Sequence, residues 1–280
     1  MICFNGKILE LEKFSINYNN RFFLYGDGFF ETIKYVPSKV LFWEQHYFRL
    51  MGSLCMLRFD IPSFFNEEFF LNQINITLEA NHLQKSSARV KILFFRESKG
   101  FYKPSENKLS YIISCEPIIN EKYFINEKGL KVDIFNEYKL GKSALNNIKS
   151  SNRLPNVLAT FYNEDNQLDD CIFINESNHI VESISGNIFI VLNDYIITPT
   201  LKSGCINGVM RKYLLQQKNI CGLNILEKDI IISDILNAEE LFFTNVMSCA
   251  SWAQSFRDKL YDNKYSKKII NEINNLFQLR

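Results

Sequence analysis

Lys149 has surroundings that suit chemistry at an amine. It lies in the segment Ser143-Ala-Leu-Asn-Asn-Ile-Lys149-Ser-Ser-Asn152, where small and amide side chains leave room around the lysine. A catalytic lysine must be uncharged for part of its reaction, so it lies in a confined site rather than in bulk solvent. Because an isolated lysine before a helix is more often a solvated charge, Lys149 is a candidate only in combination with other residues.

Two later segments supply that combination. Glu182 stands between a predicted strand and the small polar run Ser183-Ile-Ser-Gly-Asn187. Residues 198–211 contain a predicted strand, a glycine-bearing turn and a helix start, and a helix N-terminus offers free backbone amides to a phosphate. An amine, a carboxylate and an anion site are the groups that pyridoxal 5'-phosphate requires, for covalent attachment, for its ring nitrogen and for its phosphate.

Other catalytic signatures are missing from the sequence. There is no Walker loop and no Gly-x-Ser-x-Gly motif, and Gly26-Asp27-Gly28 lacks the rest of a dinucleotide fingerprint. The three histidines, His46, His82 and His179, are far apart and lack metal-ligand spacing. We therefore expect each histidine to be a surface or packing residue, and we expect no metal site.

Composition narrows the class of protein further. The 280 residues are 46% hydrophobic and 22% charged, which excludes a fully disordered or fibrous chain. A formal net charge of +1 gives no electrostatic reason to expect a nucleic-acid or membrane partner. The seven cysteines are scattered and odd in number, which does not suit a disulfide framework. No apolar stretch approaches the length of a membrane span, and the first apolar run ends at Asn5, too early for the core of a signal peptide. These features predict a cytoplasmic protein with reduced thiols.

The elements that must position the candidate residues follow from periodicity and turn signals. Asn5-Gly6 predicts a hairpin between Ile2–Phe4 and Lys7–Leu11, and a second hairpin is predicted between Phe29–Val36 and Val40–Trp43. The other predicted strands are 89–95, 109–115, 131–135, 170–175, 180–182, 188–192, 195–199 and 240–244. The predicted helices are 44–57, 66–81, 151–164, 209–217, 231–236 and 264–277.

The pattern breaks once, near the middle of the chain. A polar stretch after Glu116-Pro117 predicts a linker over residues 119–128, between an N-terminal domain (1–118) and a C-terminal cofactor-binding domain (129–280). Strands and helices mix without regular βαβ alternation, which favours two α+β domains over a doubly wound sheet.

Taken together and in order, the motifs resemble those of the class IV aminotransferase family, the fold type IV pyridoxal-phosphate enzymes. The N-terminal half carries Gly26-Asp27-Gly28-Phe-Phe-Glu31-Thr32 and Glu44-Gln-His46-Tyr-Phe-Arg49-Leu50. The C-terminal half carries Ile148-Lys149, Glu182 with Asn187, Thr198-Pro199 and Gly208-Val-Met-Arg211. The resemblance implies a two-domain, D-amino acid aminotransferase-like fold with the cofactor at the domain interface.

The resemblance also implies roles for individual residues. Lys149 would hold pyridoxal phosphate covalently and shuttle protons, Glu182 would pair with the ring nitrogen, and Arg49 would clamp the phosphate with the amides of Val209 and Met210. The remaining expected cofactor-binding residues are Asn187, Gly208, Val246 and Met247. Substrates of the family are anions, so Arg96, Lys99, Tyr102 and Arg153 are candidates for their recognition, with Phe30 in the pocket wall. The resemblance further implies a homodimer that acts on a small anionic substrate.

Several residues of this chain differ from those typical of particular branches of the family, and these differences help to identify its branch. Branched-chain aminotransferases have Tyr where this chain has Leu154, and D-amino acid aminotransferases have Tyr where it has Phe30 and Thr-rich phosphate ligands where it has Val246-Met247. Lys149-Ser-Ser-Asn152-Arg153-Leu154 and Asn207-Gly-Val-Met-Arg211 resemble segments of the aminodeoxychorismate lyases, and Asn245 resembles their strand-end asparagine. Aminotransferase activity stays open, because Glu31-Thr32 suits both branches of the family. A non-catalytic cofactor-binding protein is a further alternative.

Overall fold

The computed structural model describes residues 1–279 and divides the chain into two compact units. Unit 1 contains Met1–Glu121 together with Lys149–Asn152, and unit 2 contains Lys122–Ile148 and the chain from Arg153 onward. Arg280, the end of the predicted C-terminal domain, lies outside the described residues. The sequence did not indicate that residues 149–152 would group with the N-terminal part of the chain.

Unit 1 is built on a six-stranded antiparallel sheet. Its strands in chain order are β1 (Ile2–Phe4), β2 (Lys7–Leu9), β3 (Gly28–Val36), β4 (Lys39–Val40), β5 (Ala88–Arg96) and β6 (Leu109–Pro117). They lie in the order β2-β1-β6-β5-β3-β4. The predicted Asn5-Gly6 hairpin is confirmed, because Ile2 pairs with Leu9 and both turn residues have the positive φ of a type I′ turn.

Three helices accompany this sheet: α1 (Arg21–Tyr25), α2 (Trp43–Met56) and α3 (Glu67–Ala80). Helix α3 begins where predicted, since the side chain of Asn66 accepts a hydrogen bond from the amide of Phe69 at 2.8 Å. The sequence predicts Trp43 at the end of a strand, and this is wrong. Phe42 adopts a left-handed conformation with φ +54°, which turns the chain from β4 directly into α2.

Unit 2 contains a ten-stranded mixed sheet. Its strands are β7 (Leu130–Leu140), β8 (Asp170–Asn175), β9 (Ile180–Ser183), β10 (Asn187–Leu192), β11 (Tyr195–Thr198), β12 (Asn219–Ile220), β13 (Leu223–Glu227), β14 (Glu240–Asn245), β15 (Cys249–Phe256) and β16 (Lys259–Leu260). Strand β9 pairs with both β8 and β10, so β10, β14, β15, β7, β8 and β9 form a closed ring. Closure of the ring places the end of β9 directly beside the start of β10.

Four helices belong to unit 2: α4 (Leu154–Asn166), α5 (Val209–Gln216), α6 (Ile232–Asn237) and α7 (Lys264–Phe277). The predicted bounds of α7 are confirmed, but the predicted start of α4 at Ser151 is wrong. Helix α4 begins at Leu154 with a proline in its first turn, a position where the missing N–H of proline costs nothing. The residues before it pair with β3 of unit 1 instead.

The hydrophobic core of unit 2 consists of β-branched and aromatic side chains from the ring strands. Ile172, Ile188 and Ile190 are fully buried there, with Leu241 and Phe256. This composition is typical of strands covered on both faces. Together with the antiparallel sheet and helices of unit 1, it confirms the predicted α+β class.

Three structural findings bear on other predicted properties. No helix within residues 1–279 is long and apolar enough to cross a membrane. All seven cysteines are free thiols. In the described part of the chain, no group of three or more histidine, cysteine, aspartate or glutamate side chains could hold a metal ion.

Candidate active site

Lys149 lies in a short segment that is hydrogen-bonded to the start of β3. The amide of Phe30 donates to the carbonyl of Lys149 at 3.0 Å, and the amide of Ser151 donates to the carbonyl of Gly28 at 3.0 Å. Between them, Ser150 forms an antiparallel bridge with Phe29. The Lys149 amine, Nζ, lies 4.8 Å from the centroid of the Phe30 ring. The structure thus brings together two residues that the sequence predicted separately.

Two glycines make this pairing sterically possible. A Cβ atom at Gly26, which ends α1 with φ +61°, would lie 2.3 Å from the side-chain oxygen of Asn152. A Cβ atom at Gly28 would lie 2.3 Å from the carbonyl oxygen of Phe94 on β5. A residue larger than glycine at either position would force the lysine segment or β5 to move.

Arg49 on α2 is held by the buried carboxylate of Glu31 on β3. Its Nε donates to Oε1 of Glu31 at 2.8 Å, and its Nη2 donates to Oε2 at 2.6 Å. Oε2 of Glu31 also lies 2.7 Å from Nδ1 of His46. Glu31 and His46 are fully buried, so the expectation of an ordinary surface or packing histidine does not describe His46.

The charges in this cluster are strongly coupled. Burial alone would raise the pKa of Glu31, but the Arg49 charge and the hydrogen bonds from His46 and Arg49 outweigh it and lower the pKa to about 2. Burial lowers the pKa of His46 against the opposing effect of Glu31, and the charges of Arg49 and Lys149 lower it further. The imidazole is therefore neutral near pH 7, with its proton on Nδ1 facing the ionised Glu31.

Three of the residues predicted to recognise substrate lie elsewhere in unit 1. The Arg96 guanidinium donates to the Asp27 carboxylate, to the side chain of Asn107 and to the carbonyl of Leu57, and it is 5% exposed. These contacts explain its burial without a substrate. Tyr102 is 90% exposed, and its carbonyl accepts from Arg21. Lys99 lies in the same loop. Substrate contact by any of the three stays a prediction.

In unit 2, three polar residues form a row across neighbouring strands. Asn187 on β10 is opposite Glu182 on β9 and opposite Thr244 on β14. Oε2 of Glu182 accepts from the amide of Ile206 at 2.7 Å, and the side-chain amide of Asn187 donates to the Ile206 carbonyl at 2.8 Å. Glu182 and Asn187 thus hold the backbone of the same residue, Ile206, immediately before the glycine turn.

The glycine turn leads into a helix without a side-chain cap. Gly208 is the N-cap of α5. A Cβ atom there would lie 1.8 Å from the side-chain oxygen of Asn187, so only glycine fits. Val209 and Met210 are 3% and 1% exposed, and amides in the first turn of a helix have no partner within the helix. A buried helix N-terminus of this kind is suited to bind an anion.

The remaining predicted residues of unit 2 are placed as follows. The amide of Met247 donates to the side chain of Asn245 at 2.8 Å, so this amide is engaged within its own turn. The carbonyl of Val246 accepts from the Tyr123 hydroxyl at 2.8 Å. Arg153 donates to the carbonyl of Ile148 at 3.1 Å, on the N-terminal side of the lysine. Their contacts with cofactor or substrate stay predictions.

The chemistry and the unpaired polar groups of both units fit pyridoxal phosphate. In unit 1, Nε2 of His46 and the hydroxyl of Ser151 are buried without a hydrogen-bond partner among the described residues. In unit 2, the same holds for the hydroxyls of Thr244 and Ser248. Buried polar atoms are normally paired, so the Ser151 hydroxyl, two residues after Lys149, and the Thr244 hydroxyl, on the residue opposite Asn187, are candidate ligand-binding groups, each within its own unit.

Sequence reasoning missed several residues of these clusters as site candidates. Glu31 and His46 were visible in the motifs but were given no role of their own. Thr244 was taken as the end of a strand. Lys91 on β5 was not considered, yet its amine lies 5.1 Å from the centroid of the same Phe30 ring that Lys149 contacts. The pairing of β3 with β5 could have revealed Lys91. Lys91 is opposite Thr32, and Thr32 lies on the same face of β3 as Phe30.

Comparison with known proteins gives one family and several activities. The aminodeoxychorismate lyase of Vibrio harveyi is 28% identical over 229 residues, covering 81% of this chain and 82% of the lyase. The D-alanine aminotransferase of Bacillus licheniformis is 24% identical over 253 residues, covering 87% of this chain and 84% of the relative. The structure of a branched-chain aminotransferase from Thermoproteus uzoniensis with norvaline superposes with a TM-score of 0.87 at 19% identity, covering 98% of this chain and 93% of the other.

The likeness to the solved structure confirms the predicted fold type. The family description that matches is "Amino-transferase class IV", over residues 28–253. That match includes the lysine segment, the polar row of unit 2 and the glycine turn. Since it spans well over half of the sequence, the chain belongs to the class IV aminotransferase family of pyridoxal-phosphate-dependent enzymes.

Proposed function

We propose that this chain is a 4-amino-4-deoxychorismate lyase, which releases pyruvate and leaves 4-aminobenzoate, a folate precursor. The observation that carries the proposal is the segment Lys149-Ser-Ser-Asn152-Arg153-Leu154, which resembles the corresponding segment of the lyases. The structure gives a reason for asparagine at position 152: its side chain lies close to Gly26 and helps to hold the lysine segment beside β3. The Vibrio harveyi relative supports the same activity.

Bound pyridoxal phosphate supplies an electron-accepting ring that stabilises negative charge on the substrate after proton loss. The amine of Lys149 binds the cofactor and, once released by substrate, removes the proton from the carbon that bears the substrate amine. The Phe30 ring beside Nζ keeps this amine in a partly apolar environment. Glu182 holds the ring nitrogen in its protonated form, and the Ile206 amide fixes the orientation of its carboxylate.

The phosphate is bound by two kinds of donor. Arg49 supplies a guanidinium that Glu31 holds through its Nε and Nη2 atoms. The amides of Val209 and Met210 supply donors that carry no net charge but benefit from the dipole of α5. Thr244 and Ser248 add hydroxyls that lack a partner in the described residues.

Aminotransferase activity is the alternative. The D-alanine aminotransferase relative favours it, and Lys149 and Glu182 would act in the same way up to the removal of the substrate proton. The two reactions then differ in one requirement: a lyase releases pyruvate without an amino acceptor, whereas an aminotransferase turns over only with a keto acid. A non-catalytic cofactor-binding protein would do neither.

We further propose that the enzyme is a cytoplasmic homodimer. Seven free cysteines favour a reducing compartment. Symmetric dimers are the commonest oligomers, and the family resemblance suggests that each subunit helps to form the pocket of the other. We expect sedimentation at assay concentrations to give a dimer. A monomer with full activity at the same concentration would contradict this proposal.

Lys149 is expected to be the residue that carries the cofactor. Borohydride reduction of the purified protein followed by peptide mapping should place the pyridoxyl group on Lys149. Lys142, an exposed lysine seven residues earlier, is the matched control: Lys142→Ala should keep the label and the visible absorbance, and Lys149→Ala should lose both. Label on Lys142 would show that the motif has been aligned wrongly.

Glu182→Gln is expected to retain the cofactor but to lower turnover by about 100-fold or more, the range typical of losing a preorganised electrostatic partner. Glutamine can still accept from the Ile206 amide, so the local fold should persist. Glu176→Gln, an exposed change in the turn after β8, is the control and should leave turnover unchanged. Near-normal turnover of the Glu182 variant would remove that carboxylate from the mechanism.

The lyase proposal is tested with 4-amino-4-deoxychorismate and no keto acid. We expect 4-aminobenzoate and pyruvate in equal amounts, since the substrate divides into these two products without a co-reactant. In parallel, the visible absorbance of the bound cofactor should change slowly with D-alanine, L-glutamate or a branched-chain amino acid. Rapid loss of that absorbance with a simple amino acid, and no pyruvate release, would establish the aminotransferase instead.

A further inference from the structure

The Glu31 carboxylate is the common partner of two side chains on α2. It binds Arg49 through two nitrogens, with Nε donating to one oxygen and Nη2 to the other. It also accepts from Nδ1 of His46 at 2.7 Å. Histidine and arginine are three residues apart on the helix, so they lie on one face and meet a single residue of β3.

This arrangement leaves little freedom to any of the three groups. The side chains of Glu31 and His46 are at most 1% exposed, and that of Arg49 is 10% exposed. An arginine fork bound along one edge by both carboxylate oxygens has its plane and its roll angle fixed. The Arg49 guanidinium therefore has one orientation, which the protein sets in advance.

Stability alone does not explain the cluster. A buried ion pair of this kind often stabilises a fold no more than apolar side chains of similar volume do, because both ions lose their hydration. His46 adds a buried Nε2 that has no hydrogen-bond partner in residues 1–279. The unpaired nitrogen is a cost to stability, and the ion pair gives no clear gain.

We propose that Glu31 is a positioning residue of the phosphate site, which fixes the Arg49 guanidinium in the orientation that binds the cofactor phosphate. The inference rests on the proposed assignment of Arg49 to that phosphate. Glu31 itself does not touch the cofactor; its like charge would repel the phosphate if it did. Its contribution is to restrict Arg49, so that little side-chain entropy is lost when the anion binds.

The test compares two forms of the cofactor. Purified full-length protein, freed of cofactor, is titrated with pyridoxal phosphate and with pyridoxal, which has the same ring and aldehyde but no phosphate. Glu31→Gln keeps the size of the side chain but removes its charge and one acceptor. We expect the Kd for pyridoxal phosphate to rise by about 10- to 100-fold, the range seen when a partner that orients a binding side chain is lost, and the Kd for pyridoxal to stay within about threefold.

A double-mutant cycle shows whether the effect passes through Arg49. In an Arg49→Met background, Glu31→Gln should cause no further loss of affinity for pyridoxal phosphate. Glu44→Gln is the control, because Glu44 is an exposed carboxylate in the first turn of the same helix, and it should change neither Kd. Should Glu31→Gln fail to fold, Glu31→Asp keeps the charge but cannot reach both arginine nitrogens and His46 together, and it should show the same selective loss.

Two outcomes would overturn the inference alone. One is an equal loss of affinity for both ligands in the Glu31 variant, which would indicate general damage to unit 1. The other is a full additional loss in the Arg49→Met background, which would show that Glu31 acts independently of Arg49. Wild-type protein that binds pyridoxal as tightly as pyridoxal phosphate would overturn both the proposed phosphate site and the inference.

Discussion

The backbone pairing of Lys149–Asn152 with the start of β3 is the constraint on which the rest of the site depends. It places a segment from the second half of the chain in unit 1, whereas the residues on either side of it belong to unit 2. The pairing requires glycine at positions 26 and 28, because a side chain at either would collide with Asn152 or with β5. It also sets the helix boundary, since Ser151 cannot both pair with Gly28 and begin α4.

How much of this the sequence could predict depends on whether a feature is local. The Asn5-Gly6 hairpin and α7 were predicted correctly, because turn residues and 3.6-residue periodicity determine them over short distances. Lys149, Glu182 and the glycine turn were found from their local motifs. The start of α4 and the strand β15 (Cys249–Phe256) were not predicted correctly. The start of α4 depends on β3, a partner distant in the sequence. Strand β15 forms a hairpin with β14, but it lacks a clear alternation of apolar and polar residues.

The buried charges illustrate the same limit. Glu31 lies in the strand sequence Gly-Phe-Phe-Glu-Thr-Ile, where a carboxylate reads as a solvent-facing residue of an alternating strand. In the structure it is fully buried, and only the two donors on α2 hold its pKa near 2 against the effect of burial. Sequence alone gave no means of bringing β3 and α2 together with that register. The same reasoning applies to His46, whose pKa is lowered by burial and by two neighbouring cations against the opposing effect of Glu31.

The choice between lyase and aminotransferase cannot lie in Lys149 or Glu182, because both reactions need the same proton removal and the same protonated ring. It must lie in the groups that hold the rest of the substrate. In the proposed site, unit 1 would contribute the residues around Phe30, whose ring lies near the amines of both Lys149 and Lys91 and lacks the hydroxyl of a tyrosine. An aromatic wall without a polar group suits the face of a cyclic substrate, and an exposed cation beyond it suits a carboxylate on the far side of that ring. If the proposed lyase activity is right, this face of β3 and β5 would meet the flat carboxylated ring of the substrate.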